Sequence, residues 1–145
     1  MMRVLLDANV IIDALLPSEV RPNGDKASAI RVLDAVADRT IVGVITPVIM
    51  SFVIHVVKPR KAAHRKKMED ALGFLMDICE WAPVTPDHYR TALASSFTDV
   101  EDGMEFFAAG GMRLSAVITR NVADFKDHVP VAVLTPGQFV AKHLS

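Results

Sequence analysis

Three acidic residues stand where apolar runs give way to polar sequence. Asp7 follows Val4-Leu5-Leu6 directly, Asp124 comes shortly after Ala116-Val117-Ile118, and Asp102 lies in a helical segment leading into that second run. Carboxylates gathered in one place repel each other, by about 4 kcal/mol for a pair at ~4 Å and an effective dielectric of 20. Such a group needs protons or a divalent cation. An all-oxygen, carboxylate-rich set suits Mg²⁺ or Mn²⁺, and no cluster of Cys or His points to zinc. Asn9, Thr119 and Asn121 stand beside these acids and can orient water or a substrate.

These residues need elements that bring them together. Val4-Leu5-Leu6 reads as a parallel strand covered on both faces. After Asp7 the spacing becomes helical, through Val10, Ile11, Ala14 and Leu15, until Pro17 stops it. Asp7 is therefore placed at the C-terminal edge of a strand, where open α/β sheets bind ligands at a switch in strand order. It can also serve as the helix N-cap, as can Asn9. If the strand Ala116-Val117-Ile118 neighbours the first across the switch point, Thr119, Asn121 and Asp124 share a crevice with Asp7. At 100° per residue Asp102 shares a helix face with Phe106 and Ala109, whereas Glu101 and Glu105 are expected to turn away. Asp102 either joins the crevice or sits at its rim in water near the positive end of the helix dipole.

The remaining chain supports this frame. At 145 residues, with 51% hydrophobic content and a formal charge of -1, it reads as one ordered domain, residues 1–145. The single Cys79 excludes a disulfide framework and is placed in the core. The longest apolar stretch, Val42 to Val57, is broken by Pro47, Ser51 and His55 and cannot span a membrane. A cytoplasmic protein with no membrane association is expected. A helix is read over Ala27 to Ala37, with Ala27, Ile30, Leu33 and Ala37 on one face. A second strand follows at Ile41 to Ile45, then a mostly apolar, buried helix over 47–57 capped by Thr46-Pro47. Trp81 to Val84 reads as a weak third strand. Thr85-Pro86 starts a helix, and Thr98 with Glu101 forms a capping box for the helix that ends at Gly110-Gly111. Val131 to Leu134 is a fifth strand, before a terminal helix opened by Thr135-Pro136-Gly137-Gln138. Strands alternating with helices specify an α/β domain with a parallel sheet.

Residues 58–67 hold the densest run of charge and open a long helix carrying the stripe Met68, Leu72, Leu75 and Cys79. Cations at a helix N-terminus oppose its dipole. The run, and Arg60, Lys61, Arg65 and Lys66 in particular, is either a solvated helix face or a contact for phosphates.

The segments LLDANVIID, TDVEDGMEFFAA and VITRNVADF together resemble PIN-domain proteins, the fold of VapC-type toxin ribonucleases. The resemblance runs from Arg3 to about Phe139. It implies a three-layer fold, with a parallel sheet of four to five strands in the order 3-2-1-4-5 and helices on both faces. It also implies an acidic Mg²⁺ or Mn²⁺ site that cuts single-stranded RNA. By position, Asp7, Asp102 and Asp124 match the family's acids, Asn9 and Thr119 its supporting polar residues, and Asn121 a site that is Asp or Asn. A homodimer and an inhibitory antitoxin partner are further implications. The family usually places a Glu in the helix after the second strand, near Phe52, and this chain has no Asp or Glu between Asp38 and Glu69. His55 is the only titratable side chain of that helix. Two readings therefore stand: a metal-dependent endoribonuclease, or a degenerate PIN domain that binds RNA or a protein. A phosphate-transfer domain of receiver or dehalogenase type fits less well, because Asn9 stands where the dehalogenase pattern wants an Asp and Val84-Thr85 offers no phosphoacceptor.

Overall fold

The computed structural model describes residues 1–58 and 64–145. Five parallel strands form one sheet: β1 (Arg3–Leu6), β2 (Val42–Ile45), β3 (Glu80–Trp81), β4 (Ala116–Ile118) and β5 (Ala132–Leu134). Their order is β3-β2-β1-β4-β5, as the resemblance implies, so β1 lies in the centre with β2 and β4 on either side. Val4 pairs with Gly43 on one side and Ala116 on the other. The near-continuous apolar composition of these strands follows from burial on both faces: Val4, Leu6, Val44, Ile45, Val117 and Ile118 are wholly buried.

Helices α1 (Ala8–Leu15), α2 (Lys26–Ala37), α3 (Pro47–Val57), α4 (Arg65–Ile78), α5 (Pro86–Leu93), α6 (Val100–Gly110), α7 (Val122–Phe125) and α8 (Pro136–Phe139) pack around the sheet. Their starts follow the sequence signals closely. Thr46 Oγ1 accepts from the Ile49 N–H at 3.1 Å with Pro47 in the first turn. Thr135 and Gln138 bond each other reciprocally at the start of α8.

Four expectations change. On α2 the buried residues are Ala29, Val32, Ala35 and Val36, while Ile30 is exposed. Both stripes carry a helical period, and the approach to the sheet selects the inward one. A Cβ on Gly43 would lie 3.0 Å from both Leu6 and Val36, so that glycine lets α2 close on β2. On α3 the stripe Ile49, Met50, Val53 and Val57 is buried, but Phe52 and Ile54 are exposed, so the helix is not enclosed on most sides. Strand β3 is confined to Glu80–Trp81: the Ala82 N–H still reaches Ile45 O at 2.8 Å, and Pro83 has no N–H with which to continue. Finally, α4 is described from Arg65, after its N-cap His64, and Lys58 closes α3 instead of opening α4; residues 59–63, with Arg60 and Lys61, lie outside the described residues.

Candidate metal centre

The site grows from the two strands at the switch point. Beyond the end of β1 the Asp7 N–H still donates to Ile118 O of β4, at 3.1 Å. This holds Asp7 in extended geometry as the N-cap of α1, where its Oδ1 accepts from the Ala8 N–H at 2.8 Å. Its other oxygen, Oδ2, accepts from Thr119 Oγ1 at 2.7 Å. Thr119 is wholly buried, and its hydroxyl oxygen also accepts from the Asn121 N–H at 3.0 Å. The cap and the crevice are thus two uses of one carboxylate. Burial raises the Asp7 pKa, against the lowering effect of the bond from Thr119.

Asp102 and Glu105 arrive on α6. The N-cap of this helix is Asp99 rather than Thr98, its Oδ1 accepting from the Glu101 and Asp102 N–H groups at 2.9 and 3.2 Å. A carboxylate one residue later competes well for that place because it also meets the positive end of the dipole. Behind the helix, Phe97 lies edge-on to Phe125 at 5.9 Å, and a Cβ on Gly103 would come 3.0 Å from the Phe97 ring. This close seat brings the first two turns of α6 over the strand edge.

One carboxylate oxygen from each of Asp7, Asp102 and Glu105 lies within 4.8 Å of the other two. The inclusion of Glu105 corrects the expectation that it turns away. Three residues along a helix fall only about 60° short of a full turn, so Glu105 and Asp102 share a broad face. Glu105 is only 7% exposed. Among the described residues, no group donates a hydrogen bond or ion pair to the side chain of Asp102 or Glu105. Burial, reinforced by the charge of Asp7, pushes the Asp102 carboxyl up to about 7 and that of Glu105 to about 9.

The trio lies in a crevice of about 520 Å³ also lined by Asn9, Asp99, Asn121 and Asp124. Asp124 and Asn121 are exposed on the rim, and Asp124 is outside the close trio. Helix α3 contributes Val48, Ser51, Phe52 and His55 and no carboxylate, as its composition requires. Asn9 Oδ1 accepts from Arg21 Nη2 at 2.8 Å. Arg65 and Lys66 stand on the exposed face of α4, each in an ion pair one turn away, with Glu69 and Asp70. Reading the sequence missed Glu105 and Asp99. The available signals were the small angular offset of the first and the capping propensity of the second.

Residues 3–123 match the PIN domain family. The chain belongs to that family. Its fold is similar to a chain of a toxin-antitoxin complex from Klebsiella pneumoniae, with TM-score 0.62 and 22% identity over 92% of this chain and 97% of that one. It is also similar to a chain of VapBC2 from Rickettsia felis bound to a DNA fragment from their promoter, with TM-score 0.61, 17% identity and coverage of 91% and 97%. No curated protein sequence matches significantly. PIN domains generally use divalent metals, and the donor set of this one fits such an ion. Its donors are oxygen throughout, and two of the three carboxylates are otherwise unpartnered among the described residues. No described helix of the PIN domain is long and apolar enough to cross a membrane.

Proposed function

We propose that the chain is a VapC-type endoribonuclease that cuts single-stranded RNA, with Asp7, Asp102 and Glu105 as ligands for Mg²⁺ or Mn²⁺. The close approach of three carboxylates, two buried and one half-buried, carries this reading. Without a cation the arrangement is electrostatically unfavourable, since burial and then the charges of neighbouring acids, Asp7 first among them, raise the pKa values of Asp102 and Glu105. A divalent ion held there supplies an activated water for in-line attack on a phosphodiester and stabilises the leaving oxygen. Thr119 fixes the orientation of Asp7, and Asn9, Asn121 and Asp124 line the path by which water and the strand reach the acids. The likeness of the fold to chains of toxin-antitoxin complexes supports an antitoxin as partner. A cytoplasmic homodimer of single PIN domains belongs to the same proposal.

The absence of a carboxylate on α3 favours a second reading, a PIN domain that has kept the fold and lost turnover. Two measurements separate them. Single-stranded RNA incubated with the protein and Mg²⁺ or Mn²⁺ is expected to be cleaved, and cleavage that survives EDTA or Asp7→Asn would refute the metal mechanism. Calorimetric titration with Mn²⁺ is expected to show binding, and none at millimolar metal selects the degenerate domain.

A further inference from the structure

A second charged cluster adjoins the crevice and plays no part in the metal centre. Asp13, one helical turn beyond Asn9 on α1, is 1% exposed, and its Oδ1 accepts from two arginines: Arg21 Nε at 2.8 Å and Arg120 Nη1 at 3.2 Å. Arg21 follows the short turn Ser18–Val20, and Arg120 lies between Thr119 and Asn121 at the end of β4. Two guanidinium groups share one carboxylate, so the cluster keeps an excess positive charge. Arg21 Nη1 and Arg120 Nε and Nη2 have no hydrogen-bond partner among the described residues. The two side chains remain 20% and 24% exposed.

The location gives this excess a use. Arg21 is bonded to Asn9, a wall of the crevice, and Arg120 is flanked by residues that position Asp7 and line the rim. The crevice is lined by Asp7, Asp99, Glu101, Asp102, Glu105 and Asp124, which together repel a polyanion. Of the described cations of the basic run, Arg65 and Lys66 are already paired with neighbouring acids. We propose that Arg21 and Arg120, anchored on the buried Asp13, form a clamp for a phosphate of the RNA strand beside the scissile position. The free edge of a guanidinium matches two phosphate oxygens, and the anchor pre-orders side chains that would otherwise lose rotamer freedom on binding. Asp13 is then a positioning residue and the two arginines are binding residues.

This proposal rests on the ribonuclease reading for its ligand, and its test uses binding rather than turnover. Affinity of a single-stranded oligoribonucleotide is measured by fluorescence anisotropy in EDTA over a range of salt, for wild type, Arg120→Gln, Arg21→Gln and Arg120→Lys. Each Gln variant should lower the salt slope by about 0.7, equivalent to about a fivefold loss of affinity at 0.1 M salt. Arg120→Lys should keep the slope and recover part of the affinity, an outcome that a merely structural role would not give. Arg39→Gln, at the opposite edge of the sheet before β2, should bind as wild type, and circular dichroism checks that every variant is folded. Folded Gln variants with wild-type affinity and slope overturn the clamp alone. Wild type that binds no RNA in EDTA overturns the clamp and leaves the ribonuclease reading to the cleavage assay with metal. Arginine-dependent binding without metal-dependent cleavage upholds the clamp and removes the nuclease.

Discussion

Thr119 and Asp7 stand 112 residues apart and are joined by a buried 2.7 Å hydrogen bond. That bond ties the edge of β4 to the edge of β1 and gives one carboxylate oxygen a fixed direction. In Thr119→Val, a change of similar volume, both Asp7 Oδ2 and the Asn121 N–H lose their partner. The expected cost is about 1–3 kcal/mol, the range for stranding a buried polar group, read from urea denaturation. Mn²⁺ affinity should fall by roughly 10–100-fold, as it does when the support of a metal ligand is removed. A variant as stable and as metal-avid as wild type would show that the bond orients nothing.

The raised pKa values of Asp102 and Glu105 make stability depend on pH. A carboxyl with a folded pKa above its unfolded value binds more protons in the folded state, so unfolding becomes easier as pH rises. The contribution is fully present below pH ~4 and is lost as pH climbs through about 7 for Asp102 and about 9 for Glu105. In EDTA the melting temperature should therefore fall between pH 5 and pH 9, and Mn²⁺ should flatten that fall. A metal-free melting temperature that rises over this range contradicts the assignment.

Glu105→Gln removes one charge from the trio while keeping size and burial. Without metal at pH 9 the variant should melt higher than wild type, because it removes a charge made costly first by its burial and then by the charges of Asp7 and Asp102. Its Mn²⁺ affinity should drop by at least about tenfold, the lower end of what loss of even a supporting group costs. Calorimetry measures the second effect and differential scanning the first. Loss of stability without loss of metal affinity would make Glu105 a structural acid.

Gly24 closes the turn that follows Arg21 and lies against the Asp13 carboxyl, where a Cβ would sit 2.6 Å from Cγ. Gly24→Ala must push the loop or Asp13 aside. The expected loss is about 1–3 kcal/mol, as for overpacking a filled site, measured by thermal or urea denaturation. Wild-type stability would mean that the loop yields at no cost.

Much of this protein was legible along the chain because the relevant signals are local. Strands buried on both faces must read as apolar runs, so β1, β2 and β4 were visible, and Thr46-Pro47, Thr85-Pro86 and Thr135-Pro136 marked helix starts because caps and prolines act within one turn. The placement of Asp7, Thr119 and Asn121 at strand ends followed from the same runs. Packing decided the rest. Either stripe of α2 could have faced inward until Gly43 opened the way for Val36. Glu105 lies on α6 at an angle that periodicity leaves ambiguous, and only the seating of Gly103 against Phe97 rolls it toward Asp7. The pairing of Asp13 with Arg21 and Arg120 joins residues from α1, the loop after it and the end of β4. Contacts of that kind leave no local pattern in a sequence, because they exist only once the sheet has set β4 beside β1.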